Sequence, residues 1–71
     1  MEQSKEVMLA YEIAGALNDL NSIDWHVTVC KNNDERFLRE LLQDTLSRTY
    51  LNNPAAYYNK AVTRHGKYPR R

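Results

Sequence analysis

Residues 7–20, VMLAYEIAGALNDL, constrain this chain more than any other stretch. Projected at about 100° per residue, Val7, Leu9, Ala10, Tyr11, Ile13, Ala14, Ala16, Leu17 and Leu20 sweep more than half of a helix circumference. A helix on the rim of a small bundle needs an apolar stripe of only about 100°. So broad an arc asks for several neighbours at once, or for the rest of the chain plus a partner. The stretch therefore reads as the central helix of an all-α domain. Gly15 inside it costs about 1 kcal/mol against alanine, and close approach of a neighbouring helix is its simplest explanation.

The remaining helices follow from local grammar. Ser4 is a candidate N-cap for the first one, and the 18–22 run Asn-Asp-Leu-Asn-Ser is rich in residues that stop helices and make turns. Residues 23–31, IDWHVTVCK, fit two patterns. Trp25, Val27 and Val29 alternate as in a strand, whereas Ile23, Val27 and Cys30 fall at i, i+4 and i+7 behind a capping Ser22. A lone strand would have no partner, so a short helix is the reading taken. Asn32 or Asn33 is the expected cap of the next helix, with Asn32 and Glu35 at capping-box spacing. Its apolar stripe is Phe37, Leu38, Leu41, Leu42, Thr45 and Leu46, with Glu35–Arg39 and Arg36–Glu40 as i,i+4 pairs on the wet side. Asn53-Pro54 opens the last helix and Gly66 closes it. The expectation is a compact bundle of about four short helices at 4–19, 22–31, 34–48 and 54–65. Residues 1–65 form one domain in this reading, and 66–71 a basic mobile tail.

Net charge is only +1, but its distribution is uneven. Residues 1–44 hold all nine acids and four bases, whereas 45–71 hold six bases and no acid. Such asymmetry hints at a nucleic-acid-facing or membrane-facing end. Four of the five tyrosines, Tyr50, Tyr57, Tyr58 and Tyr68, lie among those six bases. Cations neutralise phosphates and aromatic faces stack on unpaired bases. Tyr57, Lys60 and Arg64, at i, i+3 and i+7, align a ring and two cations along one ridge. The candidate nucleic-acid contacts are Arg48, Tyr57, Lys60, Arg64, Lys67, Tyr68, Arg70 and Arg71. The plainer readings are a solvated basic face, or a surface for an acidic protein. A membrane surface is disfavoured, since the tail carries no large aliphatic residues beside its charges.

Other chemistry finds little support. The sequence has no GxGxxG, GxxxxGK[ST], GxSxG or HExxH, so an enzyme is not expected. His26 and Cys30, four apart, share a helix face, but only His65 and scattered carboxylates could complete a metal site. A core histidine and a core cysteine are the ordinary reading, and no metal or cofactor is expected. Trp25 reads as a core anchor rather than an interface residue. The single cysteine leaves no internal disulfide, the first residues are unlike a secretory leader, and no apolar run approaches about 20 residues. A cytoplasmic address follows as the expectation. At 42% hydrophobic residues, the chain is too apolar to stay disordered.

Two segments carry a resemblance. Ile13-Ala14-x-x-Leu17-Asn18-Asp19, followed by a short helix and a Leu-rich one, is similar to a helical module of accessory and replication proteins of plasmids and integrative elements. Asn53-Pro54-Ala55-Ala56-Tyr57 resembles the NPAAY helix start of phage and plasmid replisome-organiser proteins. The resemblance implies DNA or helicase contact by Lys60 and Arg64, and by Lys67, Arg70 and Arg71 beyond them.

The leading expectation is thus a non-enzymatic accessory protein of a mobile element or phage. It binds DNA or RNA through phosphates with little base specificity. The alternative is a protein-interaction module (adaptor, inhibitor or homodimer) that uses Leu9, Ile13, Ala16 and Leu20 of the first helix as its interface.

Overall fold

The computed structural model describes residues 4–66. Four α-helices follow one another: α1 (Lys5–Ala16), α2 (Ile23–Asn32), α3 (Glu35–Ser47) and α4 (Pro54–His65), with a 3-10 turn at Leu20–Ser22 before α2. There is no strand among the described residues, so 23–31 resolves as helix and the domain is all-α. The Cα radius of gyration is 11.5 Å, near the value of about 11 Å for a compact chain of this length. Packing is chiefly between sequence neighbours, α1 on α2 and α3 on α4.

Ser4 Oγ accepts the Val7 N–H at 3.1 Å and starts α1 as an N-cap. The helix stops at Ala16 rather than at 19 because Asn18 adopts φ 55°, the left-handed region that asparagine tolerates. The Asn18 N–H then donates to the Gly15 carbonyl at 3.1 Å, and the Asp19 N–H donates to Ala14 at 2.7 Å. This pair of bonds is a Schellman closure with asparagine in glycine's usual place. It also delivers the Asp19 carboxylate to α2, where Oδ2 lies 2.9 Å from His26 Nε2. Ser22, the expected cap of α2, makes no side-chain cap bond.

Asn32 and Asn33 do not cap α3. Their amides reach backward, donating to the carbonyls of Thr28 at 2.7 Å and Val29 at 2.9 Å. The Asn33 amide thereby takes one of the carbonyls left without a helical partner at the end of α2, and the capping box with Glu35 is absent. Asp34 takes the N-cap position of α3 without a side-chain cap bond. At α4 the sequence grammar operates as predicted. Asn53 Oδ1 accepts the Ala56 N–H at 3.1 Å and Pro54 opens the helix.

The core draws on every helix: Leu9, Ala10, Ile13 and Leu17; Val29 and Cys30; Leu38 and Leu42; Tyr58 and Val62. His26 and Thr45 are its buried polar members. Thr45 donates its hydroxyl to the Leu41 carbonyl at 2.8 Å, which keeps that group bonded inside the helix. Trp25 packs against this cluster, edge-on to His26 at 5.0 Å and to Tyr58 at 6.4 Å, as a core anchor.

α1 keeps one side open: Leu9, Ala10, Ile13, Ala14 and Leu17 face inward, while Met8, Tyr11, Gly15 and Ala16 face solvent. Two expectations need correction here. Gly15 is not a close-approach point within the chain, because a Cβ added there meets nothing within 4 Å. Leu46 is 45% exposed, outside the buried stripe of α3.

Candidate nucleic-acid interface

The candidate surface is the outer side of α4 with the adjoining end of α3. Tyr58 and Val62 anchor α4 in the core. Residues at other phases of the 3.6-residue repeat therefore point outward, and Lys60 and Arg64 lie one turn apart on that wet side. A shallow groove of about 290 Å³ runs along it, lined by Leu41, Asp44, Tyr57, Lys60, Ala61, Arg64 and His65. His65 belongs to this surface although nothing in its spacing marks it for nucleic-acid contact.

The expected site residues separate into two groups. Arg48 and Tyr57 are bound into an intramolecular cluster around Asp44. Arg48 Nε and Nη2 donate to the Asp44 carboxylate at 3.2 and 3.4 Å, and Nη1 donates to the Tyr50 hydroxyl at 3.0 Å. The Tyr57 hydroxyl donates to Asp44 Oδ2 at 2.9 Å, and the Arg48 guanidinium sits 5.0 Å from the Tyr57 ring centroid. The Arg48 guanidinium and then the Tyr57 hydroxyl hold the Asp44 carboxyl below the usual carboxylate range. The same bond pushes the Tyr57 hydroxyl upward. One face of the Tyr57 ring is thus covered, and the cluster ties α3 to α4. Tyr50 is the exposed aromatic here, at 72%.

Lys60 and Arg64 form the second group. Both are exposed, and neither forms an ion pair among the described residues. The other arginines of the described residues are all engaged. Arg36 meets Glu40 at 3.4 Å, Arg48 meets Asp44, and Arg39 joins Glu35 at 2.7 Å to Glu12 at 2.8 Å. Arg64 and His65 also sit in the last turn of α4, where cations favour the negative end of the helix dipole. Lys67, Tyr68, Arg70 and Arg71 lie outside the described residues, as does the rest of the predicted tail from 67 onward.

The interface expected on α1 is redistributed by packing. Leu9 and Ile13 are 6% and 0% exposed, so their side chains belong to the core and are closed to a partner. Ala16 is exposed and Leu20 is 53% exposed. Ala16 lines a groove of about 850 Å³ between α1 and α3 whose other apolar members are Leu42 and Leu46.

His26 and Cys30 are both buried, and no group of three or more His, Cys, Asp or Glu is arranged for a metal ion among the described residues. Burial pushes the Cys30 thiol up to about 11, the reverse of what a nucleophilic cysteine needs. No described helix is long and apolar enough to cross a membrane. No known protein family's model matches the chain, nor does any curated protein or solved structure.

Proposed function

We propose that this chain is a small non-enzymatic protein that binds nucleic acid by its phosphates, through Lys60 and Arg64 of α4, with little base specificity. One observation carries the reading. Lys60 and Arg64 share one helical ridge, exposed and without an acidic partner among the described residues, whereas Arg36, Arg39 and Arg48 are each bonded to a carboxylate and the other unpaired cations, Lys5 and Lys31, stand singly on α1 and α2. Unpaired cations are the groups that exchange condensed counterions for contact with phosphate. Lys67, Arg70 and Arg71 extend the same charge in sequence, and no acid follows Asp44. Base readout needs bidentate side chains presented into a groove, and Asn59 beside Lys60 is the one amide next to the ridge. Tyr57 is not assigned a stacking role, since its hydroxyl and one ring face serve the Asp44 cluster. An accessory role in a plasmid, phage or integrative element rests on the likeness of residues 13–19 and 53–57 to such modules.

The test is a fluorescence-anisotropy titration of labelled single- and double-stranded DNA and RNA at several salt concentrations. For duplex DNA, log K should fall linearly with log salt, with a slope of about −0.9 per neutralised phosphate. Changing Lys60 and Arg64 together to alanine should make that slope shallower by about two contacts. Arg48→Ala should leave it nearly unchanged. Absence of binding at low salt, or a slope indifferent to the Lys60 and Arg64 changes, would remove the reading.

A further inference from the structure

We infer that the ring of Tyr50 stacks on an unpaired base, which makes single-stranded DNA or RNA, rather than a duplex, the ligand of this surface. The inference rests on the phosphate-binding reading above and adds the class of strand. Tyr50 lies between α3 and α4, inside a turn that the Leu51 N–H closes by donating to the Arg48 carbonyl at 3.2 Å. Its hydroxyl accepts from Arg48 Nη1 at 3.0 Å, and Arg48 is itself held by Asp44. The ring is therefore fixed at both ends, by the turn and by the hydroxyl. Even so it is 72% exposed, and no other aromatic ring packs against it among the described residues. Folding gains little from such a side chain, since its faces stay in water and its one bond joins exposed groups. A stacking partner gains more: the ring offers flat apolar area with its rotamer already set, so little side-chain freedom is lost on contact.

The surroundings of Tyr50 point to the ligand. Arg48 links it to Asp44, which also accepts from the Tyr57 hydroxyl at 2.9 Å. Asp44 and Tyr57 in turn line the groove that holds Lys60 and Arg64. Tyr50 thus stands at the Tyr57 end of that groove, and Lys60 and Arg64 follow Tyr57 at about 4.5 and 10.5 Å along the axis of α4. Asp44 is the one acid lining the groove, and its charge is met by the Arg48 guanidinium. An open aromatic face followed by unpaired cations is the combination that holds single strands, with rings on bases and cations on phosphates. A duplex offers the phosphates but keeps its base faces stacked inside, so only a single strand engages both parts. Every base has such a face, so the contact selects the strand state without selecting the base.

The test is fluorescence anisotropy of the full chain at matched salt, with circular dichroism as the fold control. The probes are labelled oligo(dT) and oligo(rU) of about 12 nucleotides, the oligo(dA)·oligo(dT) duplex, and an abasic strand of the same length. Wild type should bind a single strand more tightly than the duplex. Tyr50→Ala should weaken single-strand binding roughly five- to a hundredfold and change duplex binding by less than about twofold. Tyr50→Phe keeps the ring and should lose less than Tyr50→Ala. The abasic strand keeps the phosphates without the base faces, so wild type and Tyr50→Ala should bind it alike. If Tyr50→Ala lost helicity, wild type decides alone, by binding the abasic strand more weakly than oligo(dT). A Tyr50 effect in either the oligo(dT) or the oligo(rU) arm upholds the inference and names the sugar. Wild type preferring the duplex, or Tyr50→Ala leaving both single strands unchanged, overturns it. So does an equal loss on oligo(dT) and on the abasic strand. In those cases the phosphate reading still stands if Lys60→Ala with Arg64→Ala weakens binding, whereas no binding of any strand at low salt overturns both.

Discussion

A Cβ added at Gly66 would stand 2.9 Å from Asn33 Oδ1, 3.0 Å from Phe37 Cε2 and 3.0 Å from the Val62 carbonyl. Its φ of −103° is open to any residue, so this glycine ends α4 by leaving room rather than by adopting a left-handed turn. Gly66→Ala should lower stability by about 1–2 kcal/mol through that crowding. Gly15→Ala should do the opposite, raising stability by about 0.5–1 kcal/mol through helix propensity. Urea denaturation measures both, and equal signs would contradict the geometry. Sequence reading assigned Gly66 its helix-ending role correctly, because that depends on its position after a helical pattern. It misjudged Gly15, because only the path of neighbouring helices tells which glycines are crowded.

Helix boundaries are local physics, and there the sequence was most informative. Ser4 and Asn53 cap as their positions predict. Replacing Asn53 with alanine should remove about 1 kcal/mol of stability, and with glycine only a few tenths. A thermal melt of both variants separates the lost cap bond from a change in backbone propensity. Asn32 and Asn33 misled because an asparagine between two helices can serve either one, and both amides are taken by α2. Contacts distant in sequence were not legible at all. Arg39 reaches Glu12 across 27 residues, and Tyr57 reaches Asp44 across 13. The second of these withdraws Tyr57 from the ridge that helical spacing alone assigned to it. The wide apolar arc of α1 shows the same limit. It announces more surface than one partner helix covers, but α2 decides that Ile13 goes inward and Tyr11 outward.

At the scale of the whole molecule, the buried titratable groups set an alkaline limit. Burial raises the Cys30 thiol from 9.0 to about 11 and moves the Tyr58 hydroxyl higher as well. The unfolded chain releases these protons first. Stability should therefore hold up to about pH 9 and then fall as pH rises toward 11, by an amount on the order of 2 kcal/mol from Cys30. Urea midpoints across that range check it, and Cys30→Ala should flatten the decline. On the acid side the sign reverses. Arg39 lowers the Glu12 carboxyl, and Arg48 with Tyr57 lowers that of Asp44, so their small contributions are present at neutral pH and fade below the ordinary carboxylate range. The pairing of each helix with its neighbour along the chain has a kinetic counterpart. Little of the structure waits on distant segments meeting, so the search for the native state is short, and refolding belongs in the microsecond-to-millisecond range of helical proteins. A chain leaving the ribosome closes α1 on α2 while α4 is still inside the exit tunnel.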